Sequence, residues 1–255
     1  MALINTTNLC KTYVVDKRQN NVLKNVSFSI NQGEMVAIMG QSGSGKSTLL
    51  YSVSGMDRPT SGEIIFDGKD ISKLSESELA DIRLDKMGFI FQQMYMLKNL
   101  TILDNIMLPA IQSKKNNETR QQIEERAMKL MKKLGIEDVA DNDINEVSGG
   151  QLQRACICRS LINNPDIIFA DEPTGALNRT SSTEVMDELV KINNDGATLM
   201  MVTHDAKVAA RCTKVFFIDD GNIKDQYELG KFDGNPAIMA KRERDLNNWL
   251  MDLGF

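Results

Sequence analysis

The sequence predicts an α/β fold: a parallel sheet buried on both faces, with an antiparallel β-subdomain and an inserted α-helical subdomain. Three observations predict it. The apolar runs at residues 35–39, 166–170, 197–202 and 214–218 are near-continuous rather than alternating, and a helix-compatible stretch over 182–193 separates the second run from the third, as strands covered on both faces require. Short strand-like pieces at 3–4, 26–30 and 62–66, the last closed by the turn pair Asp67-Gly68, read as antiparallel pairing. Between residues 93 and 162 the pattern turns helical.

Taken in order, the run 35–39 feeds the loop Gly40-Gln41-Ser42-Gly43-Ser44-Gly45-Lys46-Ser47, and a helix-compatible stretch continuing through Thr48 stops at Gly55, a natural left-handed residue after a helix. The loop matches G-x-x-x-x-G-K-[ST]. In that pattern glycines let successive N–H groups turn inward around phosphates, the lysine neutralises β- and γ-phosphate charge, and the hydroxyl after it coordinates Mg²⁺. A strand before and a helix after place the loop on a helix N-terminus, where dipole and unpaired N–H groups favour an anion. The alternative, a Gly/Ser-rich linker, does not explain strand, motif and helix in succession.

Residues 88–91 read as a further strand ending at Gln92-Gln93. The segment 94–101 after it is rich in Met, Tyr and Leu, which suits adaptable helix docking and equally the packing of two lobes. Over 119–135, Ile123, Ala127, Leu130, Met131 and Leu134 form one stripe with charges elsewhere, predicting an amphipathic helix that ends at Gly135. Val147-Ser148-Gly149-Gly150-Gln151 opens a helix-compatible run over 152–162. It offers N–H groups and a hydroxyl to an anion, and it makes equal sense as a helix cap with Ser148 at the N-cap.

Asp171 and Glu172 end the next buried run. There Asp171 could hold Mg²⁺ while Glu172 polarises a water in line with a γ-phosphate. His204, the sole histidine, follows the apolar run ending at Val202, and the C-terminal ends of strands are where open α/β sheets put their ligands. Gln92 ends its run in the same manner; its amide could ligate Mg²⁺ or orient the attacking water. The last stretch, 236–255, is helix-compatible, with Ile238, Leu246, Trp249, Leu250 and Leu253 loosely on one side, expected to pack back on the core.

Bulk properties narrow the function classes. The 255 residues suffice for a full core, and 42% hydrophobic and 25% charged residues are ordinary for a globular protein. A net charge of −5 argues against broad electrostatic binding to nucleic acid. Cys10, Cys156, Cys158 and Cys212 form no C-x-x-C pair and no secreted-type framework, so reduced thiols are expected, with Cys156 and Cys158 as small core residues. No run approaches the ~18 apolar residues of a membrane span, so membrane work would require another chain to cross.

With these motifs in hand, residues from about 3 to 224 resemble the ATP-binding cassette (ABC) ATPases, through the phosphate loop, Gln92, V-S-G-G-Q, I-I-F-A-D-E-P and His204, all in family order. The resemblance implies a P-loop NTPase (RecA-like) core over residues 1–228, its helical subdomain inserted at about 93–162, with a helical tail over 229–255. It implies ATP and Mg²⁺ as cofactors and a head-to-tail homodimer with two shared sites. Tyr13 is similar to the aromatic that stacks on adenine. By the same resemblance residues 40–48 bind ATP, and Ser148, Gly149, Gly150 and Gln151 grip the γ-phosphate held by the opposing subunit. Ser47, Gln92 and Asp171 hold the metal, and Glu172, His204 and Gln92 carry hydrolysis. Two departures stand out: Val147 replaces the usual leucine, and Asn178 stands where the family commonly has aspartate, so a charge expected across the dimer interface is missing.

Residues 54–62, 88–92 and 171–177 are similar to the group of bacterial macrolide exporters, lipoprotein-release ATPases and bacitracin-type peptide-resistance transporters. That implies a separate transmembrane permease subunit that exports or extracts peptides, lipids or antibiotics, with this chain at the cytoplasmic face of the membrane. The alternative within the family is an ATPase of a non-transporting signalling or cell-wall-regulating complex. DNA-repair members carry very long coiled coils, for which Lys46 and Ser148 lie too close in sequence, and translation-factor members carry two cassettes.

Overall fold

The computed structural model describes residues 2–16, 18–115 and 117–255. In chain order its elements are β1 (Ala2–Val15), β2 (Arg18–Asn31), β3 (Met35–Met39), α1 (Lys46–Val53), β4 (Ser61–Phe66), β5 (Lys69–Asp70), α2 (Glu76–Lys86), β6 (Met87–Ile90), α3 (Ile102–Gln112), α4 (Arg120–Lys133), α5 (Gly149–Leu161), β7 (Ile167–Asp171), α6 (Arg179–Asn194), β8 (Thr198–Val202), α7 (Ala206–Ala209), β9 (Lys214–Asp219), β10 (Asn222–Glu228) and α8 (Pro236–Asp252). The chain divides into two compact units, Met1–Leu79 with Val190–Phe255, and Ala80–Leu189.

In the first unit, β1 pairs antiparallel with both β2 and β4, giving a four-stranded sheet in the order β2-β1-β4-β5. The strand β1 runs far beyond the expected residues 3–4. Its register shifts between Thr6 and Leu9 and again between Leu9 and Lys11, and Asn8 has φ 50°. Such bulges change which residues face inward, so Ile4, Thr6, Leu9 and Lys11 are all buried while no simple alternation exists. That is why the sequence pattern stopped early.

The same unit holds β3, β8, β9 and β10, strands of a second sheet. Every residue of β3 and β8 is buried, as the continuous apolar runs require. These two strands are parallel, with Ile38 opposite Val202, and β3 is parallel to β9, with Ile38 opposite Phe216. The last strand, β10, turns back antiparallel on β9; it was not expected, because its burial is only partial. The tail helix α8 buries Leu246 and Leu250 as expected, but Ile238 is exposed and the third buried position is Arg242. Its guanidinium donates to the carbonyls of Ala210 and Cys212 (2.7 Å each), Leu229 (2.8 Å) and Gly230 (3.0 Å) and lies over the Phe232 ring. Four charge-assisted bonds to backbone carbonyls offset its desolvation.

In the second unit, β6 and β7 run parallel, and α3, α4 and α5 pack on one another. The helix α4 begins at the expected place because Thr119 and Gln122 form a reciprocal capping box. It ends before Gly135, whose φ of 62° suits glycine. Ile123, Ala127 and Met131 of its predicted stripe are buried.

Candidate active site

The first unit carries the phosphate loop. Gly43 and Gly45 have φ of 80° and 105°, conformations that residues with a side chain rarely adopt. At Gly40 the constraint is space: a Cβ there would lie 2.1 Å from the Ile218 carbonyl oxygen. Lys46 Nζ donates to the carbonyls of Gly40 and Gln41, both at 2.9 Å, folding the charge into the loop. The Gly221 N–H donates to the Ser44 carbonyl at 3.1 Å, so the β9–β10 turn braces the far side. The N-cap of α1 is Gly45, which has no side chain to occupy the first N–H groups of the helix. Ser44 Oγ is buried with no hydrogen-bond partner among the described residues. An inward-turned glycine loop, a lysine lodged in it and an orphaned hydroxyl fit a phosphate chain.

Tyr13 stands beside this loop. Its hydroxyl is hydrogen-bonded to Asp57 and to Thr48, the third residue of α1. Lys11 Nζ, ion-paired with Asp57, lies 4.7 Å from the ring centroid. Burial and then the Asp57 carboxylate push the phenol above its ordinary value, so the ring stays neutral. The pairing of β3 with β8 puts His204, exposed, level with the start of the loop, and the Thr203 N–H donates to the Ile38 carbonyl at 3.2 Å.

The second unit brings the other candidates together. Ile90 and Ala170 are register partners on β6 and β7, and Gln92 and Glu172 each lie two residues past them. The two meet at Gly175: a Cβ there would sit 3.1 Å from Gln92 Nε2 and 3.4 Å from Glu172 Cβ. Glu172 has φ 46°, a left-handed conformation of a non-glycine residue, which costs about 1–2 kcal/mol; the turn is closed by the Gly175 N–H donating to the Glu172 carbonyl at 3.0 Å. Asp171, the last residue of β7, is 9% exposed.

The helix α5 starts at Gly149, ahead of the helix-compatible run over 152–162 and where an N-cap at Ser148 places it. Ser148 is its N-cap, with Gln151 N–H donating to Ser148 Oγ (3.3 Å) and Ser148 N–H donating to Gln151 Oε1 (2.9 Å). The cap reading is therefore observed, and it leaves the start of the helix at the protein surface, where Ser148 and Gly149 are exposed. A Cβ at Gly150 would lie 3.0 Å from Ser181 Oγ. Asn178 Oδ1 accepts the Ser181 N–H at 3.0 Å, so the residue that departs from the family pattern still caps α6, without the charge.

Two residues of α5 were not foreseen. Gln153, 2% exposed, donates to the Pro173 carbonyl at 2.7 Å, and Arg159 donates to the carbonyls of Met94 (2.7 Å) and Tyr95 (2.8 Å). One helix thus holds the loop after Glu172 and the loop after Gln92. No sequence signal separates Gln153 from Gln151 or Arg154, since folding decides which carbonyl meets it. In the segment after Gln92, Tyr95 and Leu97 are 64% and 47% exposed, whereas Met96 is buried with Arg159 Nη1 3.4 Å from its sulfur. Cys156, Cys158 and Cys212 are fully buried free thiols, as core residues should be. Among the described residues no helix is long and apolar enough to cross a membrane.

Residues 23–175 match the family model described as ABC transporter. The chain is 42% identical over 221 residues to the uncharacterized ABC transporter ATP-binding protein YknY of Bacillus subtilis, covering 87% of this chain and 95% of that protein. It is 45% identical over 216 residues to the macrolide export ATP-binding/permease protein MacB of Campylobacter jejuni, covering 85% of this chain but only 33% of that longer protein. Among solved structures, a dimeric post-hydrolysis state of the ATP-binding cassette MJ0796 bound to ADP and Pi superposes with a TM-score of 0.83 at 39% identity, over 90% of this chain and 100% of that one. CbiO1 of Clostridium perfringens, part of the transporter complex cbiONQ, superposes with a TM-score of 0.80 at 27% identity, over 99% and 97% of the two chains. With the phosphate loop, the capped glycine pair and the acidic strand end all in place, the chain belongs to the ABC transporter family and is an ABC ATPase.

Proposed function

We propose that this ATPase powers a separate transmembrane permease that exports or extracts peptides, lipids or antibiotics, working as a head-to-tail homodimer at the cytoplasmic face of the membrane. The likeness to the macrolide exporter and to the dimeric cassettes supports this reading. The observation that carries the catalytic part is the meeting of Gln92 and Glu172 at Gly175. In this reading Glu172 accepts the proton of the attacking water and Gln92 orients that water. Lys46 and the N–H groups of residues 40–48 hold the phosphates, His204 steadies the γ-phosphate, and Tyr13 stacks on adenine. Residues 148–151 grip the γ-phosphate of the partner's ATP. Ser47, Gln92 and Asp171 would hold Mg²⁺, which would neutralise phosphate charge. A hydroxyl, an amide and one carboxylate suit a hard cation that takes its other ligands from phosphate and water.

We assign the ATPase domain to residues 1–228, with the helical subdomain at about 93–162 and the tail at 229–255. Tyr95 and Leu97, exposed on a segment that Arg159 holds from behind, supply an apolar surface for a helix of the permease. Isolating the native complex from membranes and identifying its other chains tests the reading. A stably associated membrane-spanning chain, released by polar substitution of Tyr95 and Leu97, is expected. A native ATPase that fractionates with no membrane protein would overturn it.

A further inference from the structure

The contact between the tail helix and the phosphate loop is assigned by none of the roles above. The helix α8 ends in a tight cap: the Gly254 N–H donates to the Met251 carbonyl and the Phe255 N–H to the Leu250 carbonyl, each at 3.0 Å, with Gly254 at φ 80°. This left-handed cap fixes the direction of the Gly254 carbonyl, and that carbonyl accepts Gln41 Nε2 at 3.3 Å. Gln41 is the second residue of the phosphate loop.

The cap is itself anchored. Trp249 donates from Nε1 to Asp225 Oδ2 at 2.9 Å and its ring packs against Tyr227, with centroids 5.4 Å apart. Phe217 receives Trp249 and Phe255 edge-on, at 6.3 Å and 5.9 Å. Phe217 adjoins Ile218, whose carbonyl is the group that leaves no room for a Cβ at Gly40. The tail therefore reaches the loop twice, once through β9 and once directly.

A loop built on Gly43 and Gly45 has much conformational freedom to lose when it closes on phosphates. Contacts that already restrict it in the empty state reduce the cost of binding. We propose that Gly254 is a positioning residue for the phosphate loop: its carbonyl, aimed by the helix cap, holds the Gln41 side chain and sets the rim of the loop for nucleotide. The proposal rests on the reading that this loop binds ATP.

Gly254 offers a clean test, because a Cβ there meets nothing within 4 Å and φ is 80°, so a substitution acts first through backbone conformation. Gly254→Val disfavours the left-handed cap and swings the carbonyl away; Gly254→Asn tolerates that conformation. ATP affinity of the full chain, measured by calorimetry with melting temperature alongside, should be about two- to tenfold weaker for Gly254→Val, the span expected for loss of one hydrogen bond. Gly254→Asn should bind within twofold of the parent and melt as the parent does, while Gly254→Val loses the terminal cap and melts slightly lower, with its weaker binding present well below the melt. Equal or tighter binding by Gly254→Val, or weakening that tracks lost thermal stability in both variants, would overturn the proposal. Failure of the parent itself to bind ATP would instead overturn the reading beneath it.

Discussion

Gln153 donates to the Pro173 carbonyl at 2.7 Å, tying the buried face of α5 to the residue that follows Glu172. Gln153→Leu would leave that carbonyl buried without a donor, costing about 1–3 kcal/mol. Because the freed loop carries Glu172, kcat should fall while KM for ATP stays near the parent value. Steady-state kinetics beside urea unfolding checks this. A stability loss with unchanged kcat would mean that the bond only holds the fold.

Glu172→Gln should preserve ATP binding and lower turnover by about 10²–10⁴-fold, the range of a positioned general base. The amide is nearly isosteric, and the left-handed turn closed by Gly175 does not depend on charge. Single-turnover hydrolysis measures it; turnover within tenfold of the parent would remove Glu172 from this role.

Gly40→Ala places a methyl 2.1 Å from the Ile218 carbonyl, a backbone atom that cannot rotate away. Overpacking of this kind costs about 1–3 kcal/mol, and relief of the clash must displace the loop from β9. ATP binding should be lost by more than tenfold. Filter binding with a thermal melt checks it.

Mixing Lys46→Ala chains with Ser148→Arg chains should give heterodimers with at most one intact composite site, as a symmetric head-to-tail pair requires. Each variant alone should be inactive, and the mixture should recover up to half the parent rate per heterodimer. No recovery over a range of mixing ratios would count against shared sites.

The buried thiols give a pH prediction. Burial raises Cys156 to about 11 and Cys212 to about 12, and pushes Cys158 up as well, from an ordinary value of 9.0. The unfolded chain therefore loses these protons first as pH rises. Their contribution to stability is complete below about pH 9 and declines as pH climbs from there through 11 and towards 12. Denaturant midpoints at pH 8 and pH 10 should show the fall. At pH 8 an aromatic disulfide reagent should find Cys10 in the native protein and all four cysteines after unfolding.

Much of the protein was legible in its sequence where short-range physics decides structure. The continuous apolar runs became β3, β7, β8 and β9 because burial on both faces leaves no alternation to read. The glycines of the phosphate loop, the Thr119 cap and Gly135 declare their conformations through chemistry within a few residues. Tertiary structure alone decided that β1 bulges at Asn8, that Arg242 rather than Ile238 faces inward, and that Gln153 meets Pro173, Arg159 meets Met94 and Gly254 meets Gln41. In each of these pairings a polar side chain finds a backbone carbonyl distant in sequence. Carbonyls are present at every residue and carry no letter of their own, so only the folded chain shows which one arrives.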